Sequence, residues 1–318
     1  MPTQVTEASL DAIEVASSWQ APDVSFPPQP CSVAPCSCFR CLASPMFVVV
    51  FGLVGVSYAP FVLWTTHSTA WSYFSLGVFH VLVALLLSSY VMCLATDPGT
   101  TPAAWHDQIA ANSRLAAQHR LCPRTRTYRP LRSHYCSVTR RVVLNMDHFC
   151  PWVVNTVGFY NRKFFLLFLL YTFSACTWVL INSQPLIGAL YAGRGFPGPG
   201  RWSSTRMMVA SMSMLLDASL AIMLLFFGGF HFRMALINET SIEGHSPAFD
   251  IDSRTNWEQV FGTNPWLWFL PVWGNGPAGD GVHWPTHHRH KESCEAAHVE
   301  EGHLLPDTSA SSDASTDA

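Results

Sequence analysis

Residues Trp71–Ala95 read WSYFSLGVFHVLVALLLSSYVMCLA and contain no Asp, Glu, Lys or Arg. Written as a helix rising about 1.5 Å per residue, the stretch is long enough to cross a hydrocarbon core roughly 30 Å thick. A helix also satisfies its own backbone hydrogen bonds, which lipid cannot do. Three other stretches read the same way. Met46–Thr66 (MFVVVFGLVGVSYAPFVLWTT) is uncharged, Phe164–Ala192 is uncharged with Pro185 placed to end or kink it, and Met207–Phe230 holds one acid, Asp217. The competing reading, four buried helices of a large soluble protein, conflicts with the composition. Only 12% of the 318 residues are charged, where soluble chains carry roughly 25%. The expected fold is an all-α integral membrane protein with four transmembrane helices.

The charges that remain are unevenly placed. Ten of the 18 Lys and Arg residues fall between Thr96 and Lys163, and none lies in the connector His67–Ala70. Basic segments resist crossing a membrane, so residues 96–163 read as a cytosolic loop between spans 2 and 3, with both termini cytosolic as well. The net charge of −3 argues against a nucleic-acid binder. The chain divides into a tail at 1–45 without fixed structure, spans 1 and 2 at 46–95, the loop at 96–163, and spans 3 and 4 at 164–230. A juxtamembrane segment at 231–273 and a second unstructured tail at 274–318 follow. The tails are expected on composition: Pro, Ser and acids in the first, Gly, Pro, a His-rich run (His283, His287, His288, His290) and an acidic Ser/Asp end in the second. No signal peptide is expected, because the early residues lack an apolar core.

The loop contains RPLRSHYCSVTRRVVLNMDHFCPWVVNTVGFYNRKFF, from Arg129 to Phe165. Three features order it: R-P-x-R-S-x-x-C ending at Cys136, D-H-x-C-P-W from Asp147 to Trp152, and N-x-V-G-x-x-N from Asn155 to Asn161. Asp97-Pro98-Gly99 stands after the second span, Thr240-Ser241-Ile242-Glu243 after the fourth, and Asn256–Asn264 (NWEQVFGTN) beyond that. This frame, over roughly residues 46–272, resembles the DHHC-type protein S-acyltransferases, integral membrane enzymes that attach palmitate to protein cysteines. The resemblance implies palmitoyl-CoA as acyl donor and membrane-associated proteins with cytosolic cysteines as acceptors. It also implies a place in the endomembrane system or plasma membrane. A relative that had lost catalysis would instead be a membrane scaffold.

The residues carry the same chemistry independently. Accepting an acyl group from a thioester and holding it as a thioester calls for a thiol, and a free thiol is only slightly ionised at neutral pH. A neighbouring imidazole can take the thiol proton, and a carboxylate can hold the imidazole in place. Cys150 is the candidate nucleophile, His148 the base and Asp147 its orienting partner. Arg140, Arg141, Arg162 and Lys163 are candidates to attract CoA phosphates, or simply mark the cytosolic face.

One departure from the family stands out. Its members build two structural zinc sites from eight Cys and His ligands in this loop, and the corresponding positions here are Cys122, Thr125, Tyr135, Cys136, Thr139, Val142, Phe149 and Thr156. Zinc calls for thiolate, imidazole or carboxylate. Structural zinc is therefore expected to be absent, with no permanently bound cofactor, and the loop centre packed around Tyr135, Val142 and Phe149. Asp217 is expected to face the bundle interior, hydrogen-bonded to Ser or Trp neighbours, with an acyl cavity as the alternative setting. Cys31, Cys36, Cys38 and Cys41, just before the first span, are candidates for S-palmitoylation of the chain itself.

Overall fold

The computed structural model describes residues 45–65, 69–183, 204–244 and 246–286. In chain order its helices are α1 (Pro45–Trp64), α2 (Ala70–Ala95), α3 (Ala103–Ala111), α4 (Ser113–Ala117), α5 (Arg162–Asn182), α6 (Ser204–Leu236) and α7 (Ser253–Phe261). A 3₁₀ turn follows at Pro265–Leu267. Helices α1, α2, α5 and α6 are long and apolar enough to cross a membrane. Their outward faces stay apolar: Leu63, Leu215 and Phe226 are each at least 70% exposed. Water would oppose such faces and lipid accepts them. The core runs along α5, which packs against α2 on one side and α6 on the other.

Local chemistry sets the helix ends. Thr69 Oγ1 accepts from the Ser72 N–H at 3.2 Å and caps α2. Helix α2 stops at Ala95, two residues before Asp97-Pro98-Gly99. Deep in the bundle Ser75 ties two spans together, donating to Asn182 Oδ1 at 2.8 Å while its carbonyl accepts from Trp178 Nε1 at 3.0 Å. The third span ends by Asn182, before Pro185, which lies outside the described residues together with the rest of the expected span to Ala192. The fourth does not stop at Phe230 but continues to Leu236. The charge-free count stopped there because Arg233 follows, yet a charge near the membrane face does not break a helix.

The loop is not helical or irregular throughout, which refines the all-α expectation. It carries three two-stranded antiparallel hairpins: β1 (Leu121–Cys122) with β2 (Thr127–Tyr128), β3 (His134–Cys136) with β4 (Arg141–Val143), and β5 (His148–Cys150) with β6 (Asn155–Val157). Each hairpin turns through four residues, and the last of the four has left-handed backbone: Arg126 at φ 54°, Arg140 at 56° and Val154 at 50°. For β-branched Val154 that conformation is costly and persists only because both strands hold it.

Asparagines fasten the loop to the spans. Asn155 Nδ2 donates to the carbonyl of Thr96 at 2.9 Å and to those of Cys93 and Leu94 at 3.2 and 3.3 Å, covering the open end of α2. Asn161 accepts from the Gly158 N–H at 2.8 Å and donates to Thr156 O at 2.9 Å. Gly158 is needed for space: a Cβ there would meet Val143 Cγ1 at 2.7 Å.

Arg132 fastens the loop to the segment after the fourth span. Its guanidinium, buried, bonds Glu243 Oε2 at 2.8 Å and Asn238 Oδ1 at 2.9 Å, and lies 4.3 Å from the Trp284 ring centre and 4.7 Å from that of Phe249. Trp284 corrects the expectation of an unstructured tail from 274. Residues 274–286 fold back, and Val282 and Trp284 bury against Leu144, Phe159 and Phe249. Composition missed this because a few apolar anchors among glycines suffice. Gly281, at φ 74°, leaves no room for a Cβ beside Phe159. His283 pairs with Asp280 at 2.6 Å. The tail at 1–44, with its four cysteines, and His287, His288 and His290 lie outside the described residues.

Replacing Arg132 by Ala leaves Asn238 and Glu243 without their charged partner. The expected cost is about 3 kcal/mol, the low end for a buried pair because Glu243 retains 17% side-chain exposure. A thermal-unfolding series in detergent should place Arg132→Ala well below Glu243→Gln, and equal midpoints would contradict the assignment.

Candidate functional site

Asp147, His148 and Cys150 are brought together by the third hairpin. His148 and Cys150 sit at the two ends of strand β5, so their side chains leave on the same face. Asp147 precedes the strand, and its N–H donates to Val157 O at 2.9 Å. The Asp147 carboxylate is fully buried. Its Oδ2 accepts from His148 Nδ1 at 3.0 Å, and Oδ1 accepts from the Ser241 N–H. Ser241 Oγ also donates to the Asp147 carbonyl at 2.9 Å. The Thr-Ser-Ile-Glu motif thus has two separable jobs: Ser241 holds the Asp147 carboxylate and Glu243 holds Arg132.

His231 was not among the residues read from the sequence. The extension of α6 past Phe230 carries it to the site, 3.4 Å from Asp147 Oδ2 through Nδ1. It is buried, with the rings of Phe165, Phe227 and Phe230 around it and the His148 ring 5.5 Å away. The available signal was an imidazole at the inner end of an apolar span, and the boundary drawn at Phe230 concealed it.

Burial works against charge on Asp147, but the hydrogen bond from His148, the close His231 imidazole and the nearby Arg162 charge outweigh it. They hold the carboxyl well below the usual carboxylate range. Burial likewise opposes a charged His148, yet the Asp147 bond and the adjacent Cys150 push its pKa up to about 9. Since Nδ1 faces Asp147, Nε2 is left for Cys150. The thiol itself is buried.

Cys150 and His148 stand at one end of an apolar cavity of about 410 Å³ between the spans, whose wall includes Phe165, Leu169, Leu224 and, at depth, Asp217. Asp217 is fully buried, and Ser213 Oγ donates to its Oδ2 at 3.5 Å. It therefore has both a serine neighbour and a place in the cavity wall. Arg162 and Lys163 are not free to meet phosphates. Both are buried, Arg162 donating to Glu239 O and Lys163 to Leu267 O and Val272 O at 2.7 and 3.0 Å. A charge at the start of a span is stabilised by carbonyls when no water reaches it, which is why a count of basic residues misread them. Arg140 is exposed, and Arg141 pairs with Asp97 at 2.7 Å.

Four of the eight positions where relatives are expected to hold zinc face one another in pairs. Tyr135 faces Val142 across the second hairpin, and Phe149 faces Thr156 across the third. Thr156 Oγ1 donates to Cys136 Sγ at 3.2 Å. Burial pushes the Cys122 and Cys136 thiols up, but neighbouring hydroxyls (Thr125 beside Cys122, Thr139 and Thr156 beside Cys136) bring both below the ordinary thiol value. Two thiols among hydroxyl, phenol and hydrocarbon side chains do not fit a zinc shell of four thiolate or imidazole ligands.

The fold and site define a polytopic membrane protein with a thiol and an imidazole in the wall of an apolar cavity and a carboxylate behind the imidazole. A family model described as DHHC palmitoyltransferase matches residues 116–247. "Probable protein S-acyltransferase 13" of Arabidopsis thaliana is 32% identical over 266 residues, 75% of this chain and 87% of its own length. "Probable protein S-acyltransferase 14" of the same plant is 33% identical over 275 residues, 74% and 86% of the two chains. "Palmitoyltransferase ZDHHC15A" of Danio rerio is 36% identical over 176 residues, about half of each chain. The chain belongs to the DHHC palmitoyltransferase family.

The raised His148 pKa has a stability consequence. Its folded-state value lies above its ordinary 6.5, so the protonated ring favours the fold. That contribution is complete below about pH 6.5 and is lost as pH rises through about 9. The gap in thermal midpoint between wild type and His148→Gln should therefore narrow from about pH 6 to about pH 10. A gap that stays constant would contradict the paired imidazolium.

Proposed function

We propose that this chain is an active protein S-acyltransferase that takes palmitate from palmitoyl-CoA and passes it to cysteines of membrane-associated proteins. The observation that carries the reading is the single cavity shared by Cys150, His148 and the apolar faces of the spans. A nucleophile at its mouth can reach a thioester in the water phase while the acyl chain lies in hydrocarbon. Each apolar carbon so buried contributes about 0.8 kcal/mol of binding.

The Cys150 proton rests on His148 Nε2, which makes the ring the imidazolium that Asp147 stabilises, and the Cys150 thiolate attacks the acyl carbonyl. The bond from the carbonyl to the CoA sulfur then breaks, the leaving CoA thiolate takes the proton from His148 Nε2, and the acyl group remains on Cys150 beside a neutral imidazole. A substrate thiol repeats the exchange and frees Cys150. Asp147 keeps the imidazolium oriented and neutralises it, a role suited to a carboxylate held ionised in a buried site. Both termini and the loop face the cytosol in this reading, on an endomembrane or the plasma membrane.

The persistence of all three chemical residues, where six of the eight zinc positions hold other side chains, favours an enzyme over a silent scaffold. The loop is held by hairpin pairing, Asn155 and Arg132 in place of structural zinc. Exhaustive EDTA treatment should leave the protease resistance of residues 96–163 unchanged. Unfolding of the loop on chelation would overturn the zinc-free reading.

Purified protein incubated with labelled palmitoyl-CoA should acquire hydroxylamine-sensitive label on Cys150. Cys150→Ala should lose it, and Asp147→Asn should form it more slowly by about two orders of magnitude. An unlabelled wild type, or equal label on Cys150→Ala, would reject the enzyme.

A further inference from the structure

Three metal-ligating side chains converge at the membrane face. Asp147 and His148 come from the loop and His231 from the end of α6, and their ligand atoms all lie within 4.8 Å of one another. His148 Nδ1 and His231 Nδ1 stand 3.0 and 3.4 Å from the same carboxylate oxygen. Zinc bonds of about 2.0–2.1 Å set tetrahedral neighbours about 3.3 Å apart. These two separations lie close to that spacing.

His231 supplies the second observation. Its Nδ1 is buried, aimed at Asp147 and without a hydrogen-bond partner. A structural imidazole inside a cage of phenylalanines would be expected to hold a short bond to something. At 3.4 Å this one is too long to be a good hydrogen bond and well placed to share a ligand. Two imidazoles and one carboxylate are a donor set for borderline divalent transition metals, not for Mg²⁺ or Ca²⁺.

We infer that Asp147, His148 and His231 form a binding site for a zinc-type divalent cation whose occupancy switches off acyl transfer. The cation site stands on its own geometry, whereas the switch rests on the proposed role of Cys150 and His148. A cation bound to His148 Nδ1 displaces the proton shared with Asp147. The ring then stays neutral with its proton on Nε2, and Nε2 is the atom that must receive the Cys150 proton. The thiol loses its acceptor and the carboxylate loses its partner in one step. His148 retains 26% side-chain exposure, which leaves the site open to an entering cation. Arg162, whose charge acts on the same carboxylate, opposes a second cation and keeps the ion exchangeable. This site is separate from the loop positions around Cys122 and Cys136.

The test uses the full-length chain, stripped with EDTA and titrated with zinc against a fluorescent chelator. One zinc should bind per chain, and His231→Phe, which keeps the aromatic packing, should weaken it by at least about tenfold. A Cys122→Ser/Cys136→Ser variant should bind zinc as the wild type does. Acyl-enzyme formation on wild type should fall on adding zinc and return with EDTA. X-ray absorption of zinc-loaded wild type needs no variant, and a shell of imidazole nitrogen and oxygen with at most one sulfur is expected. Absence of binding, undiminished affinity in His231→Phe, loss of binding in the double Ser variant or a sulfur-dominated shell would each overturn the site. Zinc bound at the expected shell with no effect on acylation would overturn the switch alone. A wild type that forms no acyl-enzyme even in EDTA would reject the transferase reading, and the titration would still decide the cation site.

Discussion

A fully buried carboxylate organises this molecule. Asp147 sits where the cytosolic-side loop meets the bundle, and no water reaches it. An ion in that position is tolerable only if donors surround it. Here the groups that face it come from separate parts of the chain: His148 and Ser241, from the hairpin and the C-terminal segment, donate hydrogen bonds, and His231, from the last turns of the fourth long helix, stands 3.4 Å away. Meeting the needs of one carboxylate therefore fixes the relative position of the loop, a membrane helix and the C-terminal segment. It also sets the ring of His148 so that one nitrogen faces Asp147 and the other faces Cys150.

The same logic of buried polar groups explains how a loop with so few zinc-type ligands is held. Asn155 closes the last carbonyls of α2, Arg132 joins the loop to Asn238 and Glu243, and two aromatic rings cover the guanidinium. The hairpins supply the rest, with Tyr135 opposite Val142 and Phe149 opposite Thr156. Each hairpin carries a left-handed residue at the end of its turn.

The cavity gives the site its substrate logic. Its walls are the inward faces of helices that are apolar on every side, so the space between them resembles lipid more than water. Asp217 puts a carboxyl group deep in that wall, with a serine beside it. Placing a thiol and imidazole at the mouth keeps reacting polar atoms near the membrane face while the rest of the space accepts hydrocarbon.

Four spans and a basic loop were legible in the chain because each rests on local properties, and Asp147, His148 and Cys150 were named as candidates from the motif frame around them. A charge-free run must be long enough to cross lipid, whereas the strand that puts His148 and Cys150 on one face appeared only in the structure. Tertiary structure decided what depended on distant partners. His231 joined the site only because its helix runs beyond the last uncharged residue. Arg162 and Lys163 turned inward because carbonyls from Glu239, Leu267 and Val272 were there to receive them. Trp284 escaped a composition that read as a tail because Arg132 and Phe159 offered it a surface. A sequence states which groups are costly to bury, and only the folded chain shows which other groups meet that cost.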